Sequence, residues 1–285
     1  MNLCNIELQL LYKVLSIPSY SEKEIRMREF LIEYARQKEY DYYIDEIGNV
    51  YMRKGFLSDE EYYPCITAHM DTVQTAHIAL IEQNQYITLI TEKRKDNKHI
   101  IYAEDLGLGG DDKAGIVIAL SIMDKISTCK CVFFVEEEIG CRGSENVDLS
   151  WFGDVGYIMS FDSPESNCAS WSCCGKLLFD RCFYETYLEE LSSKFGLTKY
   201  VAHPYTDVMM LRMNTCLVCM NFGAGYYNFH TLWEYVVAEE MDNAVAMGIY
   251  LIERLDYKEY FLPYSPRSKS NEIDEEFEWF QETFK

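Results

Sequence analysis

Apolar residues recur at helical spacing over residues 6–15 and again over 25–34, which predicts two amphipathic N-terminal helices. Ser21 precedes the second, with Glu24 three residues on, the arrangement of a capping box. The segment around Pro18 separates the two. Downstream, short β-rich runs alternate with helical patterns. Residues 50–53, 65–68, 131–135, 157–160 and 216–221 read as strands, and 114–125, 183–194, 207–213 and 231–255 as helices. That alternation predicts an α/β fold: a three-layer α/β/α sandwich around a mixed, largely parallel central sheet. Residues 86–91 and 99–103, separated by the charged stretch 92–98, read as a β-hairpin near the sheet edge. With no repeat, no low-complexity tract and 6 scattered prolines, nothing divides the chain. Residues 1–265 are expected to form one domain, and 266–285 a polar, acidic tail that frays.

Composition narrows the partners. At 285 residues with 48% hydrophobic content, the chain can bury a sizeable core. Its 26 basic against 47 acidic residues give a net charge of −21, which disfavours nucleic acid and acidic membranes as partners. No run approaches the roughly 18 apolar residues that span a bilayer, and the N-terminus lacks a basic region followed by a cleavage site. A cytoplasmic protein is expected. The 11 cysteines form an odd set in a chain too large to need disulfide staples. Adjacent Cys173 and Cys174 suit reduced thiols.

Open α/β sheets bind ligands beyond the carboxyl ends of their strands, and in this sequence those positions are unusually polar. Strand 65–68 runs into His69-Met70-Asp71-Thr72, and helix 114–125 is preceded by Gly109-Gly110-Asp111-Asp112-Lys113. Strand 131–135 runs into Glu136-Glu137-Glu138-Ile139-Gly140, strand 157–160 into Asp162-Ser163-Pro164, and strand 216–221 leads on to His230. Two imidazoles and three carboxylates suit a pair of zinc ions sharing one carboxylate. Asp111, Glu138, Asp162 and one hydroxide would neutralise the two cations, whereas without metal the carboxylates would repel one another and raise their pKa values.

The ordered motifs His-x-Asp-Thr, Gly-Asp-Asp-Lys-x-Gly, Glu-Glu-x-Gly-x-x-Gly, Asp-x-Pro and a late His followed by a Glu resemble those of the co-catalytic zinc exopeptidases, a superfamily that includes peptidase T, aminoacylases and desuccinylases. Ile17-Pro18-Ser19-Tyr20-Ser21 and Asp45-Glu46-Ile47-Gly48-Asn49-Val50 are similar to the N-terminal signature of that group. The resemblance implies that His69 and Asp162 bind one Zn²⁺, Glu138 and His230 the other, and Asp111 bridges them, with Co²⁺ or Mn²⁺ as alternative metals. It also implies that Asp71 orients His69, that Glu137 is the general base, and that the Asp111–Asp112 peptide is cis. One departure stands out. The peptidase T branch inserts a lid or dimerisation domain between the last two ligands, and here only the 67 residues 163–229 separate them. Substrate contacts that the lid supplies, and its dimer surface, have no counterpart in this sequence, and the oligomeric state is left open.

The implied activity is hydrolysis of an amide bond in a small peptide, of the exopeptidase or aminopeptidase type. Two rivals use the same residues: an N-acyl amino acid deacylase, and a non-catalytic metal-binding protein that keeps the fold. Glu136 lies one residue early for the Glu-Glu-x-Gly register and reads as structural. Cys216 and Cys219 read as buried thiols, and His77 and His99 as packing or surface residues. His203, Tyr226 and Tyr227 are competing candidates for stabilising an oxyanion.

Overall fold

A computed structural model describes residues 1, 3–203, 205–262 and 270–284, with backbone alone for 270–274. In chain order the strands are β1 (Asp41–Ile44), β2 (Val50–Lys54), β3 (Tyr63–His69), β4 (Ile90–Lys93), β5 (His99–Tyr102), β6 (Cys129–Phe134), β7 (Val155–Ser163), β8 (Cys168–Cys173), β9 (Lys176–Leu177), β10 (Lys199–His203), β11 (Cys219–Gly223), β12 (Tyr226–Tyr227) and β13 (Tyr235–Val237). The helices are α1 (Leu8–Ser16), α2 (Ile25–Gln37), α3 (Ala76–Glu82), α4 (Gly110–Lys125), α5 (Arg142–Glu145), α6 (Arg181–Phe183), α7 (Leu191–Phe195), α8 (Asp207–Thr215), α9 (Ala238–Leu255) and α10 (Ser270–Thr283).

The main sheet runs β1-β2-β6-β3-β7-β11-β8-β10, with β9 beside β8. Its four central strands, β6, β3, β7 and β11, pair in parallel, and every residue of each is buried. Strands covered on both faces are predominantly apolar, which is why Cys129–Phe134 and its neighbours, with isolated exceptions such as Lys130, show no regular polar alternation. Antiparallel pairings lie to either side, at β1 with β2, β2 with β6, and β11 with β8. Helix α4 crosses β3, β6 and β7, flanked by α1 and α9, and α8 packs on β7 and β11. The expected sandwich with a mixed, largely parallel sheet is the observed one. Every element between Asp162 and His230, from β8 to β11, lies in or against this body, and among the described residues no separate insert stands between them. Among the described residues no disulfide is formed, and no helix is long and apolar enough to cross a membrane.

Several boundaries differ from expectation. Residues 231–237 do not begin a helix: a turn leads into β13, which pairs with β5, and α9 starts only at Ala238. The Tyr235-Val236-Val237 run favours a pleated strand over a helical turn. Together with β12 and β4, these strands form a second, four-stranded antiparallel sheet, so the hairpin expected near the edge belongs to its own sheet. The helix expected over 183–194 breaks into α6, a π-helical turn at Tyr184–Leu188, and α7. The strand expected from Cys216 begins at Cys219, because Cys216 closes α8 in a left-handed conformation. Strands β1, β8, β9, β10 and β12 are not marked by the sequence pattern. Within the expected acidic tail, 266–269 lie outside the described residues, but α10 is ordered on the core. Phe280 is fully buried and stacks on Trp171 at 5.2 Å between ring centroids.

Candidate active site

The residues singled out in the sequence converge at the carboxyl edge of the parallel strands. His69 is the last residue of β3, Asp162 the penultimate residue of β7, and Glu136–Glu138 follow β6. Asp111 lies in the kinked, non-helical start of α4, and His230 on the loop between β12 and β13. His69 Nε2 stands 3.2 Å from Asp111 Oδ1 and 3.6 Å from Asp162 Oδ1. His230 Nε2 stands 3.2 Å from Asp111 Oδ2 and 3.0 Å from Glu138 Oε1. Asp111 therefore turns one oxygen to each imidazole. The Asp111–Asp112 peptide bond is cis, as expected.

Asp71 ties the pieces together. Its Oδ1 lies 3.3 Å from His69 Nδ1 and accepts the Glu137 N–H at 2.9 Å; its Oδ2 accepts the Ser21 hydroxyl at 2.7 Å and the Glu138 N–H at 3.2 Å. The Asp71 carbonyl is also 3.1 Å from His69 Nδ1. With only acceptors facing Nδ1, that nitrogen carries the ring proton and Nε2 is presented to the carboxylates. The three adjacent glutamates part company here. Glu136 turns away to pair with Arg142 at 3.1 Å. Glu137 Oε2 comes within 4.0 Å of His69 Nε2, and Glu138 meets His230.

Burial dominates the electrostatics. The Glu137 carboxyl is pushed up to about 9, chiefly by desolvation, with His69 opposing and Asp162, Asp207 and Glu138 adding to the rise. Glu138 and Asp162 are also raised, first by burial. Hydrogen bonds to Asp111 and Glu138 hold His230 up at about 10. Desolvation pulls His69 down, but its contacts with Asp111, Asp162 and Asp71 outweigh this and leave it well above the ordinary imidazole value. Each Nε2 faces carboxylate oxygens alone, so a proton or a metal cation must lie between. Imidazole nitrogens and carboxylate oxygens at these separations fit a divalent metal of the zinc type. Asp112 also lies within ligand range of His69 and Asp162. Both its oxygens are already engaged, however, by the Gly115 N–H at 3.0 Å and the His69 N–H at 3.2 Å.

Four supporting residues have roles that the sequence pattern does not show. Glu234 is fully buried and accepts the N–H groups of Gly109 at 2.6 Å and Asp111 at 3.0 Å, and Gln74 Nε2 at 3.1 Å. Gly109 is left-handed (φ +68°), and a Cβ there would meet Thr72 Cγ2 at 2.6 Å, so only glycine presents this N–H to Glu234. Thr206 donates to Asp162 Oδ2 at 2.7 Å, Asn221 Oδ1 accepts the Asp162 N–H at 2.9 Å, and buried Asp207 accepts the Ser144 hydroxyl at 2.5 Å. The signals were slight: a Glu four residues after the late His, and a Thr-Asp pair opening a helix.

A cleft of about 370 Å³ opens over these groups. His203 and Tyr226 lie on its wall, as do Val201, Pro164 and Phe229. His203 Nδ1 is buried without a hydrogen-bond partner among the described residues. Tyr227 points elsewhere: it donates to Glu240 at 2.6 Å and stacks on Tyr235. His77 is a buried packing residue, lodged between the carbonyls of Ser19 and Gly107, and His99 pairs with Glu239.

This architecture is the zinc-exopeptidase fold. Among solved structures it is similar to aminopeptidase PepT from Bacillus cereus, at 13% identity over 88% of this chain and 100% of that one, with a TM-score of 0.69. A tripeptidase from Staphylococcus aureus matches at 14% identity over 88% and 99% of the two chains, TM-score 0.66. The TET1 peptidase of Pyrococcus horikoshii, which can assemble into a tetrahedron or a large octahedral shell, matches at 15% identity over 86% and 98%, TM-score 0.60. No protein-family model and no curated protein matches the sequence.

Proposed function

We propose that the chain is a dinuclear metallopeptidase of the exopeptidase type, acting on small peptides. The observation that carries this reading is the pairing of both imidazoles with carboxylates alone, with Asp111 divided between them and Glu137 beside them at the cleft. The peptidase activity named for proteins of the same fold supports the substrate class. His69 and Asp162 would hold one ion, Glu138 and His230 the other, and Asp111 both, with zinc, cobalt or manganese fitting the donors. Such ions supply Lewis acidity at the scissile carbonyl and bring a water within reach of deprotonation at neutral pH.

The remaining work falls to side chains. Asp71 fixes the His69 ring and, through two N–H groups, the backbone of Glu137 and Glu138, so acid, base and ligand share one anchor. Glu137 takes a proton from the attacking water onto its carboxylate and returns it to the leaving nitrogen. His203 and Tyr226, on the cleft wall, are the groups placed to meet a substrate oxygen. The test is elemental analysis of the zinc-loaded protein together with a panel of short peptides and N-acyl amino acids read by mass spectrometry. Two ions per chain and trimming from one peptide terminus are expected. Turnover of N-acyl amino acids alone would make the chain a deacylase, and two bound ions without any turnover would make it a binding protein.

A further inference from the structure

A second cavity, of about 430 Å³, opens at the other end of α4. Ser121, on its wall, lies eight residues beyond Lys113, where the regular helix begins, roughly 12 Å along it, and no residue lines both cavity and cleft, so the two are distinct. Its volume falls within the roughly 300–1,000 Å³ of small-molecule sites. Three lysines line it, Lys38, Lys54 and Lys125. The facing carboxylate of Asp124 is already spent on the Tyr34 and Tyr40 hydroxyls, at 2.9 and 2.7 Å, and on Lys38. Lys54 donates to the carbonyls of Met123 and Asp124 at 2.8 and 3.0 Å, and Lys125 reaches the Cys4 carbonyl at 3.4 Å. An ammonium has three donors, so each of these lysines keeps at least one beyond these bonds. With Glu7 as the other acid, the rim carries a net positive charge on a chain of −21.

Ser121 supplies an independent observation. It is 3% exposed, and its Oγ has no hydrogen-bond partner among the described residues, which is costly for a buried hydroxyl. Spare ammonium donors and an idle hydroxyl on one wall match a ligand rich in acceptor oxygens, and Leu10 and the Tyr40 ring offer surface for an organic body. We propose that this cavity binds a small organic oxyanion, a phosphate monoester or a carboxylate, outside the catalytic cleft and independently of the reaction.

The test is calorimetric titration of the metal-loaded protein with inorganic phosphate and, separately, citrate, at constant ionic strength against chloride. The same titrations are run on Ser121→Ala with Lys125→Met. Saturable binding of one probe, weakened tenfold or more in the double variant while peptide turnover without anion is unchanged, is the expected result. Which probe binds tells phosphate from carboxylate recognition. Lys125 is exposed, so Lys125→Met alone keeps the test decisive if the double variant folds poorly. Binding no better than chloride would overturn the proposal. So would equal affinity in the variants, which would assign the anion to the catalytic cleft.

Discussion

Glu234 Oε1 accepts the backbone N–H of Asp111 at 3.0 Å, and Oε2 of the same carboxylate accepts that of Gly109 at 2.6 Å. One buried side chain from the His230 loop thus fixes the turn that delivers the shared aspartate, so the two halves of the proposed metal site hold each other in place. Glu234→Ala leaves two buried N–H groups unpaired and frees that turn. Metal affinity and peptide turnover are expected to fall about 10- to 100-fold, the usual effect of removing a group that supports ligands. Titration with zinc against a chelating indicator measures it, and unaltered affinity would show that Asp111 is held by other contacts.

Metal-free protein is expected to lose stability as pH rises from about 6.5 to about 9. In the unfolded chain imidazoles titrate near ~6.5 and glutamate near ~4.3. In the folded chain His230 is held at about 10 by Asp111 and Glu138, His69 well above its ordinary value, and Glu137 at about 9 by burial. Across this window the folded state therefore binds more protons than the unfolded one, and stability falls with pH. Asp207, Glu234 and Glu24, each raised to about 7 by burial, add to this at the lower end of the window, while Lys113 and His77, brought down to about 7 and about 3 by burial, work the other way. Metal displaces these protons, so its affinity rises over the same range. Urea midpoints of chelator-treated protein at both ends of the window decide the sign; a rising midpoint would contradict the protonated imidazoles.

Phe280 tests the contribution of the C-terminal helix to the core. Its ring is fully buried, stacked on Trp171 and edge-on to Phe179 at 5.7 Å. Phe280→Ala is expected to cost about 3–5 kcal/mol in urea unfolding, the range for emptying a buried aromatic site. A loss near zero would mean that α10 does not pack on the core in solution.

The sequence made the site more legible than the fold around it. His69, Asp111, Glu138, Asp162 and His230, the proposed ligands, could be picked out because a carboxylate or imidazole at a strand end, a helix start or the loop beyond carries chemical meaning of its own. Glu234 is legible only as the Glu that follows the late His; its role depends on two distant N–H groups, and the helical spacing around it hides the strand at Tyr235-Val236-Val237. β10 was hidden for a similar reason: Lys199–His203 is mostly exposed at the sheet edge, so it lacks the apolar run that marks β3 or β7. In the tail, acidic residues masked the spacing of Phe277, Phe280 and Phe284, a stripe whose partners, Trp171 and Tyr184, lie a hundred residues away.

Glu137 and Glu138 are neighbours with different surroundings, and their amide variants should separate the roles. Glu138 Oε1 lies 3.0 Å from His230 Nε2, so Glu138→Gln removes a charged oxygen from the pair proposed to hold the second ion. That ion should weaken or leave, and turnover should fall with it. Glu137 has no comparable contact with His230. It stands 4.0 Å from His69 Nε2, takes a hydrogen bond from the Cys141 thiol at 3.4 Å and faces the cleft. Glu137→Gln keeps shape and packing but cannot accept the proton, so both ions and substrate binding should persist while kcat drops roughly a hundredfold or more. Metal content and kcat measured together on the two variants check this. Loss of metal from Glu137→Gln with retention in Glu138→Gln would exchange the assignments. Because Glu136 is turned toward Arg142, such a result would also require the strand end after β6 to rotate by one residue from the arrangement seen here.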